Sequence, residues 1–407
     1  MPGSRPTHSR RQVLGWLGGA IAATAVGCTD QSGSGGQAPP TPSFDTSTTS
    51  TTLPTLAGDP VVARPGPPSA WTGDNLGINL AWVNDHAGNQ RVNFLSDGWD
   101  EQLLAADLDL LVELSITKLR TFCPLESVMT YEDGAFTLDR VRAGHLHWLL
   151  DQADERGISV FVVMGDGHVN SDVPTESLDG KFRWELIVDQ AGLDVYARAF
   201  DVYIKEFVRH TNVAFWEIHN EPYANLTWSS WPQSLGITPE AIHVYLKTAY
   251  DVVKLNAGAT PVGFSDLEEE EQDKYRLFSQ PFKLPTLIDD CTDVYALHIY
   301  RSEVSQLHDF TGLTGKPKWV LELGDYNYDD PTGLDHNGQP ANGELYDEQA
   351  NAATFRTLGE ALMAMGFELF MPWSIADNQG MVEHREDGSH TVRKLPRWMA
   401  GEILAAS

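Results

Sequence analysis

From residue 71 to residue 407, short runs of β-branched and aromatic residues alternate with longer stretches whose apolar positions recur at helical spacing. The strand-like runs are LGINLAW (76–82), TKLRTF (117–122), ISVFVVM (158–164), VAFWEIH (213–219), TPVGFS (260–265), DVYALHIY (293–300), KWVLEL (318–323) and FELFMPW (367–373). Apolar runs of roughly four to eight residues between turn-forming residues read as buried strands. Between them, Leu103, Leu104, Leu108, Leu111 and Val112 mark one apolar stripe, and Phe200, Tyr203, Ile204, Phe207 and Val208 another. That spacing belongs to helices burying one face. Pro239 falls near a helix start, and Gly157 and Gly258 just past helix ends, as capping preferences direct.

Strand–helix units repeated eight times predict a (β/α)8 barrel, the TIM-barrel architecture, as one α/β domain over 71–407. An open doubly wound sheet is the alternative, but no Gly-rich phosphate loop follows the first strand. The fifth helix is the least regular, since Pro281 and Pro285 interrupt it.

The first 70 residues belong to a different pattern. Arg10 and Arg11 precede the weakly apolar run GWLGGAIAATAVG, which ends at Cys28. Paired arginines before a modest apolar segment suit a twin-arginine export signal, and the run is shorter than the ~18–20 residues a spanning helix needs. AVGC resembles a lipoprotein processing box, which makes Cys28 the expected lipidation site of residues 1–28. Residues 29–70 are rich in Ser, Thr, Gly and Pro and poor in large apolar groups, the composition of a flexible tether. The expected product is extracytoplasmic, either lipid-anchored or secreted, and touches a membrane only through that anchor.

Without the signal, 25 basic residues face 57 acidic ones. Such an excess of negative charge argues against nucleic acid or an anionic membrane as a partner. Cys123 and Cys291 remain after Cys28, and the strand layout puts them at opposite ends of the sheet, so they are expected to be unpaired.

A barrel of this kind gathers its chemistry at the C-terminal ends of its strands. Those ends carry Asn79 and Trp82, Arg120, Asp166 and His168, Asn220 and Glu221, Asp266, His298 and Tyr300, Glu322, and Trp373. Glu221 and Glu322 close the fourth and seventh strands. Two carboxylates facing one cleft are the means by which glycosidic bonds are cut, one protonated to release the leaving oxygen and one ionised to attack the anomeric carbon. Their environments must hold the two in different protonation states. Arg120 and Tyr300 are the partners expected to keep one of them ionised.

The set Arg120, His168, Asn220-Glu221, His298-x-Tyr300, Glu322 and Trp373 resembles clan A glycoside hydrolases, nearest to family 5. NEP at the end of the fourth strand matches that family's acid/base motif. ELG on the seventh resembles its EFG nucleophile motif, with Leu323 in place of the usual aromatic. The resemblance runs from about Leu76 to Trp373 and implies a retaining enzyme without metal or other cofactor. Glu221 would be the acid/base and Glu322 the nucleophile. Asn220 would bond the sugar 2-hydroxyl, and Arg120 and Tyr300 would hold Glu322. His168 and His298 would meet sugar hydroxyls or the acid/base, and Trp373 would floor the cleft. Asp166 competes with His168 for its place.

Two connections on the catalytic side, Gly165–Gln190 and Asp325–Tyr346, are longer than the barrel requires. Trp184, Trp228, Trp231, Tyr326 and Tyr328 lie in these or in the connection after NEP, and aromatic faces suit pyranose rings. The expected substrate is a β-linked oligo- or polysaccharide of mannan or β-glucan type, cut within the chain or as an oligosaccharide by a monomeric enzyme. Two other readings stand beside this one. A metal-dependent barrel hydrolase would draw on His168, His219, His298 and Asp266, although the first strand lacks His-x-His. A glycan-binding barrel without catalysis would keep the cleft and lose turnover.

Overall fold

The computed structural model describes residues 75–80, 99–167, 182–228, 230–267, 288–300, 303–324 and 348–373, with strand segments at 83–84, 91–92, 382–384 and 390–392. The signal, Cys28, the tether, Trp82, His168, Tyr326, Tyr328 and most of both long connections lie outside the described residues.

Eight parallel strands pair in chain order: β1 (Ile78–Leu80), β2 (Lys118–Phe122), β3 (Ser159–Val163), β4 (Val213–Asn220), β5 (Val262–Leu267), β6 (Tyr295–Tyr300), β7 (Lys318–Gly324) and β8 (Phe367–Pro372). The sheet then curls back on itself. Leu76 bridges Phe370 in parallel, and the Gly77 N–H donates to the Phe370 carbonyl at 2.9 Å. The result is the (β/α)8 barrel, with each strand within two residues of its expected bounds.

Alternation along the strands builds two layers. Phe161, Phe215, Val294, Ala296, Leu321, Leu369 and Met371 point inward and fill the barrel. Their chain neighbours Val160, Val162, Trp216, Leu297, Val320 and Phe370 point outward, against the helices. Burial of this kind contributes about 25 cal/mol per Å² of apolar surface, the main favourable term in folding.

Five helices of thirteen residues or more lie among the described residues: α1 (Glu101–Glu113), α2 (Arg140–Glu155), α3 (Gln190–Phe207), α4 (Pro239–Ala257) and α5 (Glu348–Ala364). Asp100, Asp139, Asp189 and Thr238 accept hydrogen bonds from first-turn amides, relieving donors that have no partner inside the helix. Gly157 (φ 69°) and Gly258 (φ 63°) take the left-handed turn that ends α2 and α4. The expected stripe of α1 needs one correction, because Val112 is 49 % exposed. The buried face runs instead through Leu103, Leu104, Asp107, Leu108, Leu110 and Leu111.

Two connections differ from the sequence expectation. After β6 the described residues form a one-turn 3-10 helix, Val304–Gln306, in place of a sixth α-helix. Gly312, Gly315 and Pro317 break the apolar periodicity of that stretch. After β2 an antiparallel hairpin joins Met129–Glu132 to Ala135–Leu138. Its two-residue turn is Asp133-Gly134, both at positive φ (51° and 81°), a pairing that matches strand twist.

Cys123 and Cys291 are both buried free thiols, as the sequence layout anticipates.

Candidate active site

Arg120, fully buried on β2, organises the C-terminal mouth of the barrel. Its Nε and Nη2 donate to Glu217 Oε2 and Oε1, each at 2.7 Å. Nη1 donates to Glu322 Oε1 at 2.6 Å and to Asn79 Oδ1 at 2.9 Å. Nη2 also reaches Asn220 Oδ1 at 2.7 Å and Ser265 Oγ at 3.3 Å. One guanidinium thus ties together side chains from β1, β4, β5 and β7, in the planar fork geometry that suits carboxylates.

Glu322 takes a second bond from the Tyr300 hydroxyl, which donates to Oε2 at 2.6 Å. Burial and the neighbouring Glu221 push the Glu322 pKa above the ordinary glutamate value, while His298, Arg120 and the Tyr300 hydroxyl oppose that rise. Strand register explains the meeting, since His298 on β6 lies directly beside Glu322 on β7.

Glu221 sits just past the end of β4 in a left-handed backbone conformation, φ 53°, uncommon for a residue with a side chain. Its surroundings hold that conformation in place. The Glu221 N–H donates to the Ser265 carbonyl at 2.8 Å, and its own carbonyl accepts from the Asn225 N–H at 3.1 Å and Nδ2 at 2.8 Å. Asp266 clamps the next residues, accepting from the amides of Tyr223 at 2.8 Å and Ala224 at 3.2 Å, and from Leu267 at 2.8 Å. Burial, with Glu221 adding to it, pushes the Asp266 pKa up to about 7.

His298 links the two glutamates. Its Nδ1 lies 2.5 Å from Glu221 Oε1 and 3.5 Å from Glu322 Oε2. One oxygen of each glutamate and a ring nitrogen of His298 all lie within 4.8 Å of one another. Glu221 and Glu322 are each 4 % exposed, so both stand in a largely desolvated mouth.

Other expected residues fall out differently. Asn220 joins the site through Arg120, and its Nδ2 donates to Asp166 Oδ1 at 3.4 Å. Asp166 also bridges Asn220 in parallel, which places it at the mouth, while His168 lies outside the described residues. Gly165 permits this approach, because a Cβ there would come within 2.7 Å of the Ile218 carbonyl and the His219 ring. Trp373 is half-buried and meets Phe122 edge-on at 5.9 Å. The Arg120 guanidinium lies over the same Phe122 ring at 4.8 Å, so Trp373 borders the polar cluster.

Trp184 requires a correction. It is 1 % exposed, wedged edge-on against Phe182 at 4.8 Å and His219 at 5.9 Å, and offers no face to a ligand. Trp231 is half-buried and packs against the outer core. Trp228 ends the one-turn helix Asn225–Trp228.

Glu217 and Ser265 are not among the strand-end residues to which the sequence points. Glu217 falls on the inward face of β4, two residues after Phe215, and a charged residue at that position in an apolar strand was the available signal.

The donor set bears on a metal. His219 faces α4, with Nδ1 3.3 Å from the Tyr245 hydroxyl, and Asp266 is occupied by three amides. The Glu221, His298 and Glu322 trio has ligand-like spacing, but both Glu322 oxygens already receive protein donors, one of them cationic. That arrangement suits a carboxylate held for reaction better than a ligand to a divalent ion.

Neither a protein-family profile nor a curated protein sequence matches the chain. Solved structures do. An exo-β-1,4-mannosidase from Opitutaceae bacterium strain TAV5 aligns with 84 % of this chain and 62 % of its own, at 16 % identity and a TM-score of 0.58. A β-mannanase from the blue mussel Mytilus edulis aligns with 81 % of this chain and 91 % of its own, at 16 % identity and a TM-score of 0.53. A family 1 β-glucosidase from Thermotoga maritima covers 83 % of this chain and 99 % of its own, at 13 % identity and a TM-score of 0.55. The chain shares the barrel fold of these clan A glycoside hydrolases.

Proposed function

We propose that the protein is a retaining glycoside hydrolase acting on a β-linked glycan. One observation carries this reading: two nearly buried glutamates, with oxygens within 4.8 Å, have different partners. Glu322 is held by Arg120 and Tyr300, whereas Glu221 meets the His298 imidazole. Close spacing of the two carboxyl groups is what double displacement requires, since no water need fit between nucleophile and sugar.

In the first step Glu322 Oε2 attacks the anomeric carbon as Glu221 gives its proton to the departing glycosidic oxygen. A covalent glycosyl ester forms on Glu322 and the leaving sugar departs as an alcohol. In the second step Glu221, now a carboxylate, takes a proton from water. The resulting hydroxide displaces Glu322, and configuration is retained. Trp373 supplies an apolar floor for the ring, and Asn220 positions its amide beside the reacting sugar.

Mannan or β-glucan is the proposed substrate class, in keeping with the mannan- and glucoside-acting neighbours. Cutting within the chain and export through the N-terminal signal, with a lipid anchor at Cys28, complete the proposal. The test is reducing-sugar release from β-mannans, β-glucans and xylans by wild type and Glu322→Ala, with and without chelator. Turnover of one glycan, lost in the variant and indifferent to chelator, supports the reading. Turnover unaffected by Glu322→Ala refutes it. Chelator-sensitive turnover favours the metal-dependent alternative.

A further inference from the structure

The Arg120 guanidinium is shared unequally between two carboxylates. Glu217 receives two bonds at 2.7 Å, through Nε and Nη2, while Glu322 receives one at 2.6 Å through Nη1. Glu217 and Arg120 are both fully buried, so no solvent offsets their charges. Ser265 Oγ also donates to Glu217 Oε1, which holds the carboxylate in place.

We infer that Glu217 is a positioning residue that sets the basicity of Glu322 by taking the larger share of the Arg120 charge. The inference rests on the proposed role of Glu322 as nucleophile. A lone arginine beside Glu322 would stabilise its carboxylate so strongly that it would attack a sugar poorly. With Glu217 clamped on the same cation, the Arg120–Glu217 pair is close to neutral. Glu322 then keeps two oriented donors without the full field of a positive charge. Glu217 also fixes the plane of the guanidinium, and with it the direction in which Nη1 reaches Glu322.

Every neighbouring charge fits this account. Glu322 is faced by Arg120 from β2, by His298 and Tyr300 from β6, and by Glu221 at the end of β4, with Asp266 beyond Glu221 on β5. Arg120 is the sole fixed cation among these groups, so its neutralisation by Glu217 bears directly on Glu322.

The test compares wild type with Glu217→Gln, which keeps shape and removes charge. Carboxyl carbons of 13C-labelled glutamate are followed by NMR across pH, with the Glu322 signal assigned by its loss in Glu322→Gln. The Glu322 midpoint is expected to move down by about 1 pH unit, the order a unit charge exerts at an effective dielectric of ~20. On the glycan that wild type cleaves, the acid limb of kcat/KM should move down with it while kcat falls. An unmoved Glu322 midpoint in a folded variant overturns the inference. Should Glu217→Gln fail to fold, Glu217→Asp serves in its place, because the shorter carboxylate cannot meet both guanidinium nitrogens. Its midpoint is expected to move in the same direction by a smaller amount, and no movement overturns the inference equally. The NMR readout requires no turnover. A protein that titrates as expected but cleaves no glycan would sink the hydrolase reading and leave the charge-sharing intact.

Discussion

His298 Nδ1 stands 2.5 Å from Glu221 Oε1, on a strand register that sets His298 beside Glu322. The imidazole is therefore bonded to Glu221 and adjacent to Glu322, the proposed acid/base and nucleophile. Its other nitrogen, Nε2, is buried with no hydrogen-bond partner among the described residues, so the ring's polar contacts there concentrate on the glutamate side. His298→Ala should lower kcat about 10²–10³-fold, within the range assigned to positioned proton-transfer groups. Circular dichroism should show an intact fold. A variant with wild-type kcat would mean that the contact is incidental to the chemistry.

The two glutamates should separate cleanly by nucleophile rescue. Glu322→Ala removes the attacking oxygen, and activity should fall by about 10⁴-fold or more. Azide entering the vacated space would attack the anomeric carbon from the same face and give the inverted, α-glycosyl azide. Glu221→Ala should still form the glycosyl ester when the leaving group needs no proton. Azide then displaces Glu322 and gives the β-glycosyl azide. Product anomers are read by NMR, and the opposite assignment would exchange the two roles.

Most of this geometry was legible from strand ends alone. A period-two strand carries its last inward residue to the mouth, so Arg120, Asn220, His298, Tyr300 and Glu322 could be named before any coordinates. Three things resisted that reading. Glu217 lies inside an apolar run, where a lone acid has meaning only once the partner it faces is known. Asp266 ends its strand as expected, but its work is on the Tyr223 and Ala224 amides, a contact set by the turn after Glu221 rather than by any motif. The connection after β6 forms no α-helix among its described residues because glycine and proline punctuate it, a local signal overridden by the regularity of the repeat.

Asp266 should leave a mark on stability. Its pKa rises from 3.8 in the unfolded chain to about 7 in the fold, chiefly through burial. Between those values the folded state holds a proton that the unfolded chain has released, so stability falls as pH rises from about 4 to about 7 and then levels. Asn cannot titrate. The melting temperature of Asp266→Asn relative to wild type should therefore climb as pH is raised from 5 to 8, even if it starts lower through a lost amide bond. A difference independent of pH would show that Asp266 stays ionised in the folded protein throughout.

Trp184 and Trp373 are both large aromatics in or beside connections at the catalytic end, yet their surroundings assign them opposite work. Trp184 is 1 % exposed and packs on Phe182 and His219, so Trp184→Ala should open a cavity costing about 3–5 kcal/mol, with activity lost through melting. Trp373 is half-buried and touches Phe122 beneath the Arg120 guanidinium, with its N–H donating to the Leu323 carbonyl at 3.0 Å. The backbone bond survives truncation of the side chain, and a rim position leaves a smaller void. Trp373→Ala should keep most of its melting temperature while kcat/KM on the glycan drops about tenfold or more, the scale of a lost aromatic contact of roughly 1.5 kcal/mol. Thermal melts and kinetics on the two variants decide the matter. Equal stability loss in both would place Trp373 in the core and remove it from the proposed sugar floor.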